Sequence, residues 1–199
     1  MLILLLLTAF AQQPEEPQRA FTPPPADMAE YRRLSSELQL AASRNAWSGV
    51  ERIYQSLHAT LATVDAHAHL LGARAAMDRG DVTAARSRLR LAVQADPELT
   101  EARDWLDRIE QTHGGVTLMG DVRVHRLEVD SMPFQPGLAA SIQFAVDRVN
   151  TSGQYIGLLP AGTYRFGSRE VVVEPNGSST LIDLRMYYAI RRIERESLC

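Results

Sequence analysis

Two hydrophobic patterns divide the chain into a helical part and a β-rich part. Between residues 27 and 112, apolar side chains recur every three or four positions, which is the spacing of an amphipathic helix. After residue 115, apolar and polar side chains mostly alternate, as they do in a strand with one buried face. The sequence therefore predicts an α+β protein in which helices precede strands.

Glycine, proline and capping residues set the expected boundaries of five helices. Asp27, Thr63 and Asp81 are the predicted N-caps, while Gly80 and Gly114 are predicted to end helices. The predicted helices span residues 27–43, 46–61, 64–79, 81–96 and 98–112.

A set of apolar positions repeats at an interval of 35 residues. The interval separates two residues that favour turns, Asn45 and Gly80. Counted from each of them, positions 5, 9 and 12 are apolar and share one helix face. These positions hold Val50, Tyr54 and Leu57 in the first stretch and Ala85, Leu89 and Ala92 in the second. Such a period predicts repeated helical hairpins.

The stretch LLGARAAMDRGDVTAARSRLRLAVQADP, residues 70–97, resembles a tetratricopeptide repeat. The resemblance implies that two helices pack into a hairpin and that stacked hairpins offer a concave surface to protein partners. The following segment, ELTEARDWLDRIEQTH, fits a capping helix because its apolar residues lie on one side. A generic helical bundle is the alternative architecture for residues 27–113.

The second part predicts short strands and one helix. Strands are expected over residues 116–120, 122–129, 155–160, 162–167, 170–175 and 179–190. The intervening helix begins at Pro136 and ends before Gly153. The last residues, from 185 onward, fit either a strand or a helix.

The stretch YIGLLPAGTYRFGSREVVVEPNGSSTLIDL is similar to the end of carboxypeptidase-regulatory-like and PEGA-type domains. The shared element is the turn Leu159-Pro160-Ala161-Gly162-Thr163-Tyr164, after which the tyrosine is expected to return to the core. The resemblance implies a small prealbumin-like β-sandwich over residues 116–199, with the helix as an insertion. It also implies a non-catalytic attachment or interaction module.

The N-terminus predicts export. Residues 1–11, MLILLLLTAFA, have the apolar core and small-residue ending of a signal peptide, and the core is too short to cross a bilayer. Residues 12–26 are rich in proline and predict a semi-extended linker. We therefore expect a secreted or periplasmic protein. Its one cysteine, Cys199, excludes an internal disulfide but could join two copies.

Neither the charge of the chain nor its motifs indicate a catalytic, metal-binding or nucleic-acid-binding site. All 21 basic residues are arginine, and the net charge of −3 does not predict nucleic-acid binding. In VDAHAHL, His67 and His69 lie two positions apart and would point away from each other on a helix, so a metal site is not predicted. Nucleotide-binding and hydrolase motifs are missing from the sequence. We expect neither a cofactor nor an enzyme.

Arg86 and Arg90 are the candidate partner-binding residues. They lie one helical turn apart, with Arg79 and Arg88 nearby, and could bind a partner's carboxylates. The alternative is a solvated face paired with local acids such as Asp78 and Asp81.

The expected function is a protein–protein interaction adaptor or scaffold of the bacterial cell envelope. Two other functions stay open. An envelope glycan or peptidoglycan would be bound by exposed aromatic residues, for which Tyr155, Tyr164 and Phe166 are the candidates. A hydrolase would have its site between the two parts, with a perturbed carboxylate or histidine.

Overall fold

The computed structural model describes residues 25–60, 62–176 and 179–184 and confirms an α+β fold. A helical part ends at Thr112, and a β part begins at His113. The predicted signal peptide, most of the linker, and the C-terminal tail with Cys199 lie outside the described residues.

All five predicted helices are present in the helical part. They are α1 (Pro25–Ser43), α2 (Trp47–His58), α3 (Ala66–Asp78), α4 (Val82–Ala95) and α5 (Thr100–Thr112). Asp81 caps α4 as predicted, since its carboxylate accepts from the Ala84 N–H. Two predicted caps are wrong. α1 begins before Asp27, and Asp65 rather than Thr63 caps α3, because its carboxylate accepts from the Ala68 N–H at 2.8 Å.

The two helical hairpins share a left-handed turn residue and a buried helix face. Asn45 turns the chain from α1 to α2 with a φ of 54°, and Gly80 turns it from α3 to α4 with a φ of 81°. The predicted shared face is confirmed, because all six of its apolar positions are buried. These are Val50, Tyr54 and Leu57 on α2 and Ala85, Leu89 and Ala92 on α4.

Six short strands form two three-stranded sheets in the β part. They are β1 (His113–Met119), β2 (Leu127–Glu128), β3 (Gln154–Pro160), β4 (Gly162–Phe166), β5 (Arg169–Val173) and β6 (Ser179–Asp183). One sheet has the order β3-β1-β6 and the other β2-β4-β5. β6 runs parallel to β1, whereas the other pairs are antiparallel.

The strand predicted over residues 122–129 is wrong except at Leu127–Glu128. The Asp121 carbonyl accepts from the Val124 and His125 N–H groups, and its carboxylate accepts from the Arg123 N–H. These local bonds form a turn, as aspartate side chains commonly do, and they use backbone groups that a strand would need.

The remaining helix, α6 (Pro136–Ser152), belongs to the core of the β part. Pro136 occupies its first turn, and Gly153 ends it with a φ of 73°, both as predicted. Ile142, Ala145 and Val149 pack in one cluster with residues from both sheets. The helix therefore completes the hydrophobic core.

The helical and β parts join without a linker. α5 ends at Thr112, and β1 starts at the next residue. Gly114 therefore lies inside a strand, and the prediction that it ends a helix is wrong. A Cβ atom on Gly114 would lie 2.0 Å from the Glu174 carbonyl oxygen. This close approach of two backbones explains the glycine.

Backbone hydrogen bonds also connect the two parts. The Asn176 N–H donates to the Glu110 carbonyl at 2.9 Å, and the Ala161 N–H donates to the Thr112 carbonyl at 2.8 Å. Both acceptors are in the last turn of α5, where carbonyl groups lack partners within the helix. Turns of the β part therefore complete the C-terminal end of a helix from the other part.

Candidate binding cleft between the two parts

A cleft of about 480 Å³ lies where α4 and α5 meet the sheet β3-β1-β6. We call it the interpart cleft. It is lined by Thr83, Arg86, Ile109, Glu110, His113, Gly115, Val116, Thr117, Ile156, Gly157, Leu158, Asn176 and Ser179. The lining thus mixes one cation, one carboxylate, backbone groups and apolar side chains, which is typical of ligand-binding clefts.

Hydroxyl groups close most of the β3 edge beside this cleft. The Leu158 N–H donates to the Thr83 hydroxyl at 2.9 Å, and the Leu158 carbonyl accepts from the Tyr155 hydroxyl. The Ser152 hydroxyl accepts from the Gln154 N–H at 3.3 Å and lies 2.9 Å from the Gln154 carbonyl oxygen. Because unpaired strand edges promote strand addition, these contacts restrict where another chain could pair with β3.

Glu110 brings the two predicted binding residues together. Its carboxylate accepts from Arg90 at 2.9 Å and from two nitrogens of Arg86 at 3.3 and 3.4 Å. Arg86 lines the interpart cleft, whereas Arg90 is more exposed. Two cations share one carboxylate, so the local charge is positive. The long contacts to Arg86 are weak hydrogen bonds, which leaves this guanidinium able to bind another anion.

The other two arginines of the predicted ridge have different surroundings. Arg79 pairs with Asp81 and Glu51, so Asp81 is one of the local acids that the sequence suggested. Arg88 is nearly buried between the hairpins, where it pairs with Glu51 and donates to the Gly72 carbonyl at 2.7 Å. Neither side chain lines the interpart cleft.

An exposed apolar row continues from the cleft across the sheet. Ile156 on β3 and Leu181 on β6 are both paired in register with Thr117 on β1. Ile156 is 66% exposed and Leu181 is 67% exposed. We call these three residues the outer row. The sequence does not reveal this row, because strand alternation predicts two faces but does not identify which of them the rest of the chain covers.

His113 lies at the base of the cleft with its ring buried. Burial lowers the pKa of His113 to about 4, so the ring is neutral near pH 7. Its Nδ1 is 2.9 Å from the Thr112 hydroxyl, which itself donates to the Arg108 carbonyl, so Nδ1 carries the hydrogen of that contact. Nε2 is buried without a hydrogen-bond partner among the described residues. This is the perturbed histidine that the hydrolase alternative required.

Among the described residues, no carboxylate contacts the ring of His113. The described hydrogen bonds of its ring involve Thr112 and the Ile109 backbone, and neither supplies a carboxylate. The Thr112 hydroxyl is committed to the helix backbone and is not positioned as a nucleophile activated by the ring.

The three aromatic residues predicted to bind glycan are buried. Tyr155, Tyr164 and Phe166 all belong to the core of the β part. The Tyr164 hydroxyl donates to the Pro160 carbonyl at 2.8 Å, so this tyrosine returns to the core as the turn motif predicts. Burial raises the pKa of Tyr155 to about 12 and also raises that of Tyr164. The burial of all three candidate rings counts against the glycan alternative.

The VDAHAHL segment has structural roles. Asp65 caps α3, His67 is exposed, and the buried His69 contacts the Tyr54 hydroxyl through Nδ1 at 2.8 Å. The same hydroxyl lies 2.7 Å from Nε2 of His58. Burial lowers the pKa of His69 to about 4. Within the part of the chain that the structure describes, no three metal-ligating side chains converge.

No known protein family, curated protein or solved structure matches this chain. The tetratricopeptide-like and prealbumin-like resemblances therefore stay predictions drawn from motifs. Among the described residues, no helix combines the length and apolar character needed to cross a membrane.

Proposed function

We propose that this chain is a non-catalytic protein–protein interaction adaptor of the bacterial cell envelope. In this proposal its tetratricopeptide-like hairpins and prealbumin-like β part form one binding unit. The observation that carries the proposal is the position of Arg86, which lies in the interpart cleft next to an exposed apolar row. A cation beside apolar surface suits a polypeptide that presents an acidic and an apolar side chain.

The proposed ligand is an extended segment of a partner protein. Its carboxylate would replace the long contacts between Arg86 and Glu110, while an apolar side chain would cover Ile156 and Leu181 of the outer row. Exposed apolar patches with polar borders commonly mark protein interaction sites. Recognition would rely on side chains, because hydroxyl groups already occupy most of the β3 edge.

Site-specific crosslinking tests this function. A photoreactive residue placed at Thr117, between Ile156 and Leu181, should crosslink one partner protein in the source bacterium. Arg86→Glu should reduce the yield of that product, because it replaces the cleft cation with an anion. The matched control is Arg103→Glu, which reverses the charge of an exposed arginine that is also on the helical part but outside the cleft.

Two results would contradict the adaptor proposal. A crosslinked product whose yield is unchanged by Arg86→Glu would show that the partner does not bind through the cleft cation. Recovery of peptidoglycan or another glycan at Thr117, without a protein, would favour the glycan alternative, although the predicted aromatic residues are buried.

Export to the periplasm or medium is a second part of the proposal and rests on residues 1–11. Expression of the full sequence followed by cell fractionation and mass spectrometry should give an exported chain that begins at Gln12. A chain that keeps residue 1 and stays in the cytoplasm would exclude this location.

A further inference from the structure

A second pocket lies on another side of His113. Its volume is about 260 Å³, and its lining includes Met77, Trp105, Ile109 and Leu138. We call it the Trp105 pocket. Arg108 also lines it, is exposed, and makes no ion pair within the described ranges. The pocket thus has apolar walls and one available cation.

The most exposed aromatic side chain of the described structure immediately precedes a residue that lines this pocket. Phe134 is fully exposed, and the following residue, Gln135, lines the Trp105 pocket together with Gly137. Leaving a phenyl ring in water is unfavourable by roughly 1.5–3 kcal/mol relative to burial. Met132, two residues earlier, is also exposed. An apolar projection and an apolar pocket are therefore close neighbours on one surface.

Two prolines hinder Phe134 from turning into the pocket of its own chain. Pro133 precedes it, and Pro136 fixes the first turn of α6 two residues later. Gln135, which lies between Phe134 and Pro136, is extended with a ψ of 117°. Proline restricts its own φ and also the conformation of the preceding residue, so closure within one chain would require several backbone changes.

We infer that a second copy of this chain fills the Trp105 pocket with its Phe134 and receives the Phe134 of the first copy in return. A projection and a pocket on the same surface patch can satisfy each other reciprocally about a two-fold axis. This dimer goes beyond the proposed adaptor function, because it uses a different surface from the interpart cleft.

Charge supports the same occupant. Asp130 lies four residues before Phe134, is exposed, and makes no ion pair among the residues described. In the reciprocal dimer Asp130 of one copy approaches Arg108 of the other, on the rim of the pocket that receives Phe134. Each copy supplies one acid and one base, so the contact forms twice.

The first experiment measures mass against concentration by sedimentation equilibrium. Protein expressed from the full sequence is kept in reducing buffer, so that Cys199 cannot crosslink two copies. The mass should rise toward twice that of one chain. Phe134→Ser should weaken association by roughly tenfold or more, as for a central aromatic contact. Val124→Ser, which changes another exposed apolar residue outside the pocket, should not weaken association.

The second experiment blocks the pocket without destabilising the fold. Gly137 lines the Trp105 pocket, and a Cβ atom added there meets no atom within 4 Å. Gly137→Leu should therefore fill the pocket mouth and abolish association, whereas Gly137→Ala should retain it. The leucine also favours helix formation over glycine, so a loss of association would not reflect unfolding.

The third experiment tests the charge pair by exchange. Arg108→Glu should weaken association, and adding Asp130→Arg to the same chain should restore it. A monomer at every concentration would overturn the inference, as would a dimer that is unchanged by both Phe134→Ser and Gly137→Leu. A monomer whose Trp105 pocket is instead occupied by the adaptor's partner would overturn it as well.

Discussion

Arg88 holds its guanidinium over the ring of Tyr54, with Cζ 4.4 Å from the ring centroid. The contact joins α4 to α2, which belong to different hairpins. Arg88 also donates to Glu51 at 2.8 Å, and this bond is the main reason that the pKa of Glu51 falls to about 2. Arg88 therefore adds a cation–π contact and an ion pair to the apolar packing between the two hairpins.

Removing the charge of Glu51 should be costly. Glu51→Gln leaves the nearly buried Arg88 without its carboxylate, so we expect a loss of about 2 kcal/mol in the free energy of unfolding. Urea denaturation of the wild type and the variant measures this difference in the free energy of unfolding. The control is Glu101→Gln, whose partner Arg74 is more exposed, and its loss should stay below about 1 kcal/mol. Equal losses in the two variants would contradict this role of Glu51.

Two helical glycines should respond oppositely to alanine. A Cβ atom on Gly72 would lie 2.5 Å from the Tyr54 ring, whereas one on Gly49 would meet its nearest neighbours at 3.9 Å. Gly72→Ala should lower the melting temperature because the close contact outweighs the gain in helix propensity. Gly49→Ala should raise stability by up to about 1 kcal/mol. A rise in melting temperature for both variants would show that Tyr54 can move aside.

The two hairpin turns give a further pair of variants. Gly80 has a left-handed φ, and a Cβ atom there would lie 2.3 Å from the Ala140 carbonyl oxygen. Gly80→Ala should therefore destabilise the protein by more than 1 kcal/mol or so. Asn45→Gly, at the equivalent turn with a φ of 54°, should change stability little or raise it slightly, because glycine accepts that conformation readily. Calorimetry of both variants checks these directions.

Stability should fall on mild acidification. The pKa values of His69 and His113 are about 4 in the folded chain, mainly because of burial, against about 6.5 when unfolded. The unfolded chain therefore binds more protons between these values, so the free energy of unfolding decreases as pH falls from about 6.5 to about 4. Glu51 extends the decrease, because protonation near pH 2 removes the stability present above about 4.5.

Urea midpoints measured between pH 7 and pH 4 test this dependence. His69→Gln and His113→Gln should each flatten the profile. His67→Gln replaces an exposed histidine on the same helix as His69 and should leave the slope unchanged. A wild-type midpoint that is constant across the interval would exclude the proposed linkage.

Local patterns predicted the elements of this fold better than its surfaces. Tyr54 and Leu89 were each assigned to a buried helix face from their spacing to other apolar residues on the same helix, and both are buried. The residues after Asp121 alternate like a strand, but hydrogen bonds accepted by the backbone carbonyl and the carboxylate of that aspartate produce a turn. Tyr155 stayed only a candidate for an exposed ring, because the strand pattern does not show that α6 and the second sheet cover it.

The interpart cleft could be predicted only in part. Arg86 was identified from its helix, but its partner Glu110 lies on α5 and its neighbour Ile156 lies in the β part. These residues converge because α5 passes directly into β1. The spacing of residues within one helix or strand does not predict how two elements are joined. His113 belongs to no sequence motif, and its burial arises from the same junction.

The hydrogen bonds that Asn176 and Ala161 donate to the end of α5 also hold the helical and β parts at a set distance on either side of the cleft. The two walls of the cleft are held together, because separating them would break those two bonds and expose the carbonyl groups at the end of α5. The proposed partner segment would then have to fit a cleft whose shape is already formed. Selectivity among ligands would come from the length and charge of the few side chains that can still move, of which Arg86 is the foremost.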